Sequence, residues 1–175
     1  MFTNIANVKV MHPKMNYAIH FFKQLRSGLS FCYYKEAVRA SPSPTKLLPK
    51  NVQQGDGSYR YETSVFLHEG ESDIPWEYSK YVYRGVLAFG GIDFLIEVLP
   101  NAGLDIEIKE GEIHANIIGW DGDEEIQQIQ AIKLARRALV RVHPSSEAEY
   151  LAVKDQKLLD YKRTGVLLQH AITVS

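Results

Sequence analysis

Asp93, Glu97, Asp105, Glu107, Lys109, Glu112, His114 and Asn116 recur, mostly at alternate positions, among apolar residues between 92 and 117. Alternation of this kind sends successive side chains to opposite faces of a strand. If the apolar residues face a core, several acids, a lysine and an imidazole share the other face. Hard divalent cations take several oxygen ligands, so such a face has the donor types for magnesium or manganese. An antiparallel sheet with one wet face carries charges at the same positions without any metal.

Within that stretch, Asp93 followed by Glu107-Ile-Lys109 spells a D…ExK pattern. It resembles the motif of PD-(D/E)xK nucleases over about 17 residues, with Ile92 where the motif carries proline. The resemblance implies that Asp93 and Glu107 would ligate the metal and that Lys109 would help activate water. A metal-dependent phosphodiesterase or nuclease is therefore one reading of the chain.

A second group of residues suits recognition rather than catalysis. Glu69, Glu71, Asp73 and Glu77 form an acidic run bordered by Trp76, Tyr78, Tyr81 and Tyr83. Tyrosine and tryptophan are enriched in interfaces because they supply rigid amphipathic contact area. Acids rimmed by aromatics suit a protein partner with a basic surface, and opposite charge would speed capture and guide register. The partner-binding set expected from this is Glu69, Glu71, Asp73, Trp76, Glu77 and Tyr78.

A third reading uses the basic N-terminal segment. Lys14, Lys23, Arg26 and Lys35 are interleaved with Phe21, Phe22, Phe31, Tyr33 and Tyr34. Cations with stacking rings can clamp single-stranded nucleic acid. Other signatures are missing from the sequence. The six histidines show no HxH or HxxxH spacing, and there is no GxSxG, GxGxxG or GxxxxGK[ST]. The single cysteine, Cys32, forbids an intramolecular disulfide and a CxxC zinc site.

The elements that must position these residues follow from periodicity. Met15, Ala18, Ile19, Phe22 and Leu25 read as a helical stripe ending at Gly28. Residues 29–34 and 59–68 alternate as strands. Residues 40–57, with three prolines and two glycines, read as a long loop. Residues 76–89 lean to strand by their aromatic and β-branched content. Residues 91–118 read as a three-strand antiparallel meander. A helix is expected from about 124 to 142, capped by Asp121 or Asp123, and a second over 147–163. Residues 166–174 read as a final strand. Strands that follow one another without alternating helices indicate an α+β fold. The expectation is a mostly antiparallel sheet with an N-terminal helix and two consecutive C-terminal helices packed on one face.

At 175 residues, the chain fits one domain spanning 1–175. Its 45% apolar and 23% charged content excludes a disordered or collagen-like protein. No apolar run is long enough for a transmembrane helix or a signal peptide, so a soluble, cytoplasmic protein is expected. The net charge of −1 conceals a division into +7 over residues 1–50, −12 over 51–125 and +4 over 126–175. With no complete catalytic signature, the leading expectation is a non-catalytic interaction module: a small inhibitor, an immunity-like factor or an assembly subunit. Such a module needs no cofactor.

Overall fold

The computed structural model describes residues 15–34 and 37–164. The elements are β1 (Tyr17–Phe22), α1 (Leu25–Gly28), β2 (Leu29–Tyr34), β3 (Ala37–Pro42), α2 (Pro44–Leu47), β4 (Lys50–Gln53) and β5 (Tyr59–His68). Two 3-10 turns, Glu71–Asp73 and Trp76–Tyr78, lead into α3 (Ser79–Val82). Then come β6 (Gly90–Leu95), a 3-10 segment Ile96–Ala102, β7 (Asp105–Ile108), β8 (His114–Ile118), α4 (Glu124–Ala135), β9 (Leu139–Val142) and α5 (Glu147–Thr164). The class is α+β with an antiparallel sheet.

Among the described residues the main sheet has seven strands in the order β7-β8-β5-β1-β6-β9, with β4 paired to the first half of β5. The hairpin β2–β3 forms a separate sheet. β5 is shared along its length: Tyr59–Glu62 pairs with β4, Thr63–Phe66 with β8 and Phe66–His68 with β1.

Both sides of the central strands are covered. On one side Ala18, Phe22, Val65, Leu67, Ile92, Ile106 and Ile117 join Ala131, Leu134 and Ala135 of α4 in the main core. On the other, Ile19, Phe21 and Phe66 pack under Ala88, with Ile74, Trp76 and Tyr83 against them. The segment 69–89 thus forms a cap over the sheet. α5 buries no residue fully. It lies on the hairpin through Phe31–Tyr150 and Tyr33–Tyr161 ring stacks.

The two-sided cover explains why the expected N-terminal helix is a strand. β1 buries Ala18, Ile19, Phe21 and Phe22, so its apolar spacing loses the period of two that a half-exposed strand shows. The same strand sits against Gly90 and Gly91. A Cβ on Gly90 would come within 2.4 Å of the Arg141 carbonyl, and one on Gly91 within 2.5 Å of the Ile19 side chain.

The expected meander over 91–118 is also corrected. Ile96, Leu99 and Ala102 are buried at a spacing of three, which suits a 3-10 turn as well as alternation suits a strand. Only β7 and β8 form the hairpin, and β6 pairs with β1 and β9 instead. The helix expected to reach 142 stops at Ala135, and β9 separates it from α5, so the two helices are not consecutive. Asp123 caps α4 as expected, accepting from the Glu125 and Ile126 amides. α4 buries Ala131, Leu134 and Ala135, while Ile126 and Ile129 are exposed. Gln127 and Gln130 turn inward instead. Gln127 donates to the Asp121 carbonyl, while Gln130 donates to the Ala102 carbonyl and accepts from the Asp121 amide. The loop expected at 40–57 contains α2 and β4, and residues 76–89 hold helical turns rather than a strand. The expected strand at 166–174 lies outside the described residues. No described helix is long and apolar enough to cross a membrane.

Candidate functional site

The cap is tied down by the hydroxyls of Ser79 and Tyr83. Ser79 is fully buried; its hydroxyl donates to the Trp76 carbonyl at 2.6 Å and accepts from the Ala88 amide at 2.8 Å. One side chain therefore closes the loop between residues nine apart. Tyr83 donates its hydroxyl to the Phe21 carbonyl at 2.8 Å, and burial pushes its pKa up to about 12. Arg84, at φ +53°, and Gly85, at φ +90°, then reverse the chain toward β6.

At its start the cap is held by a chain of charges. His68 Nδ1 faces the Gly70 carbonyl and Nε2 faces Asp93 Oδ1, both at 2.8 Å. Asp93 Oδ2 accepts from Arg141 Nε at 3.1 Å, and Arg141 reaches Glu71 at 3.1 Å. His68 and Asp93 are buried, and Tyr17 stacks on the imidazole. Both ring nitrogens thus face oxygen atoms, which fixes the orientation of the imidazole between β5 and β6. Arg141 shares the Asp93 charge and links it to the cap.

On this scaffold the expected recognition residues divide. Glu69, Asp73 and Glu77 are exposed, and Glu77 pairs with Lys80 at 2.6 Å. Glu71 is exposed but engaged by Arg141. Trp76 is half-buried, packing on Phe21 with its centroid at 5.5 Å and edge-on to His143 at 5.1 Å. It anchors the cap from below rather than rimming the acids. Tyr78 is 45% exposed, between Phe66 and Tyr81. Tyr81 is 85% exposed, and Val82 and Val86 lie open beside it in the chain. These last two residues were missed by the sequence reading. Tyr78, Tyr81 and Val82 are spaced i, i+3 and i+4, the signature of one helical face, and that signal is hidden when the segment is read as a strand.

The D…ExK residues do not meet. β6 and β7 are four strand spacings apart in the sheet order, or about 19 Å at ~4.8 Å per strand. Asp93 is engaged by His68 and Arg141. Glu107 is gripped by Arg60 through two hydrogen bonds of 2.9 Å, and this guanidinium holds its carboxyl below the ordinary range. Lys109 is exposed just past the end of β7. Asp93 and Glu107 therefore cannot ligate one cation. Among the described residues, no cluster of three or more His, Cys, Asp or Glu side chains is placed to hold a metal ion.

Of the basic N-terminal set, Lys23 and Arg26 are exposed near α1, and Lys14 and Lys35 lie outside the described residues. The rings expected to stack on bases are used elsewhere. Phe21 and Phe22 are buried, and Phe31 and Tyr33 stack on α5. In comparisons with known proteins, no family, no curated protein and no solved structure matched the chain.

Proposed function

We propose that the chain is a non-catalytic protein-interaction module whose contact surface is the exposed side of the 69–89 cap, and that its partner presents a basic surface. The observation that carries this reading is the exposure of Tyr78, Tyr81, Val82 and Val86 in a segment that also exposes Glu69, Asp73 and Glu77. Exposed aromatic and aliphatic side chains gathered in one segment mark association sites. The neighbouring acids choose the sign of the partner and raise its association rate. Ser79 and Tyr83 fix the backbone beneath, so little ordering entropy is lost on docking.

The test is co-purification from the native host with chemical cross-linking, read by mass spectrometry. Wild-type protein should carry a stoichiometric partner cross-linked at 69–86 through a lysine- or arginine-rich surface. A variant with Glu69→Gln, Asp73→Asn and Glu77→Gln should lose that partner while keeping its circular dichroism. Retention of the same partner by this variant, or cross-links that fall wholly elsewhere, would overturn the proposal.

A further inference from the structure

A second feature lies at the edge of the cap, where the pairing of β5 changes hands. β4 pairs with β5 as far as Glu62 and β1 pairs from Phe66, so neither strand pairs with Thr63, Ser64 or Val65. His20 fills part of this break, its Nδ1 donating to the Ser64 carbonyl at 2.6 Å. Thr63 fills another part, donating to the Leu47 carbonyl at 2.9 Å. What is left is a cleft of about 200 Å³ walled by α2 and β4 on one side and by Val82 and Tyr83 of the cap on the other.

The charges at this cleft are unbalanced. Lys46 and Lys50 both line it and lie close enough for each to act on His20, and for Lys50 to act on Lys46. Neither lysine forms an ion pair among the described residues. The carboxylate on the cleft wall, Glu62, is engaged by Arg60 at 2.7 Å, as is Glu107. Two cations and an imidazole thus converge beside one carboxylate, Glu62, which lies opposite Lys50 in the β4–β5 pairing and shares Arg60 with Glu107. Ser64 and Asn116 add neutral hydrogen-bonding groups, and Leu48, Val52 and Phe66 add apolar wall.

We propose that this cleft binds a small organic anion, a phosphate or carboxylate group joined to a compact apolar body, with Lys46 and Lys50 as its charge partners. A cavity of ~150 Å³ accepts a benzene ring, so the volume suits a ring with one acidic group. The anion relieves the repulsion between the lysines. The apolar wall supplies the contact area that an inorganic ion would leave unused. Ser64 also has its hydroxyl 2.6 Å from His114 Nε2; in the tautomer with the proton on Nε2, the hydroxyl accepts from His114 and keeps its own O–H for the ligand.

The test is calorimetric titration of the full chain with phenyl phosphate, benzoate and, as a neutral control, benzyl alcohol. At least one acid should bind saturably at one site, the tighter of the two identifying the acidic group. The Lys46→Ala/Lys50→Ala variant should weaken it by about tenfold or more. Arg137→Ala, on the exposed surface of the turn after α4, should leave affinity unchanged. Benzyl alcohol binding as tightly as the acids, equal affinity in the double variant, or no saturable binding of either acid would overturn the proposal.

Discussion

Asp93 and His68 form a buried hydrogen-bonded contact of 2.8 Å across the sheet, although they sit on strands separated by β1. Their side chains share a face because Tyr17, between them on β1, is in register with both His68 and Leu95. Asp93 also receives Arg141. Removing it leaves the buried imidazole without its side-chain partner and the Arg141 guanidinium held by exposed Glu71 alone. Asp93→Ala should therefore cost about 3–5 kcal/mol in urea denaturation. Glu71→Gln removes only the exposed end of the chain and should cost under ~1 kcal/mol. Equal losses for the two would show that the buried pair is not the anchor.

Ser79 tests the closure of the cap. In Ser79→Ala the Ala88 amide keeps no partner for its N–H, and a buried donor left unsatisfied costs about 1–3 kcal/mol. The loss should be local, seen as faster hydrogen exchange at Ala88 with little change at β5 amides. Uniform acceleration across the sheet would mean that the cap and sheet unfold as one unit.

The misreadings share a physical cause. β5 was legible because it is long and places Arg60, Glu62 and Ser64 in alternation with Tyr59, Tyr61, Thr63 and Val65. The Asp123 cap was legible because its chemistry is local to four residues. β1 was not, because the cap supplies a second apolar environment from residues more than fifty positions away, and period-two patterning vanishes when both faces are dry. The same distant cover hid the surface. Trp76 and Tyr78 look equivalent in the sequence, yet one turn of 3-10 helix puts the first against Phe21 and leaves the second half outside. Asp93 and Glu107 look like neighbours in a meander, and only the sheet order, set by long-range pairing with β1 and β5, separates them.

Tyr81 separates stability from recognition. At 85% exposure its truncation removes almost no buried contact, so Tyr81→Ala should change the urea midpoint by less than ~0.5 kcal/mol equivalent. If the cap is the contact surface, the same variant should weaken partner binding by about 2 kcal/mol, as central aromatic residues of interfaces do. Surface plasmon resonance against the cross-linked partner measures this. An unchanged dissociation rate would place the contact elsewhere.

His20 makes the fold sensitive to acid. Burial is the main cause that lowers its pKa to about 4, and Lys46 and Lys50 lower it further against the opposing Ser64 and Lys46 carbonyls. The unfolded ring titrates near 6.5. Between these values the unfolded chain holds the extra proton and the folded chain does not, so stability rises with pH through this window and is flat above it for this group. Lowering the pH from 6.5 to 4 should remove at most ~3 kcal/mol through His20. His20→Gln keeps a donor for the Ser64 carbonyl but has no titration, so the difference between wild type and variant isolates the ring from Glu62, His114 and the other groups nearby. That difference should shrink steadily as pH falls below 6.5. Addition of a bound acid in the cleft places a negative charge beside the imidazole, which raises its pKa and narrows the window from below. A difference independent of pH would show that His20 titrates alike in the folded and unfolded chain.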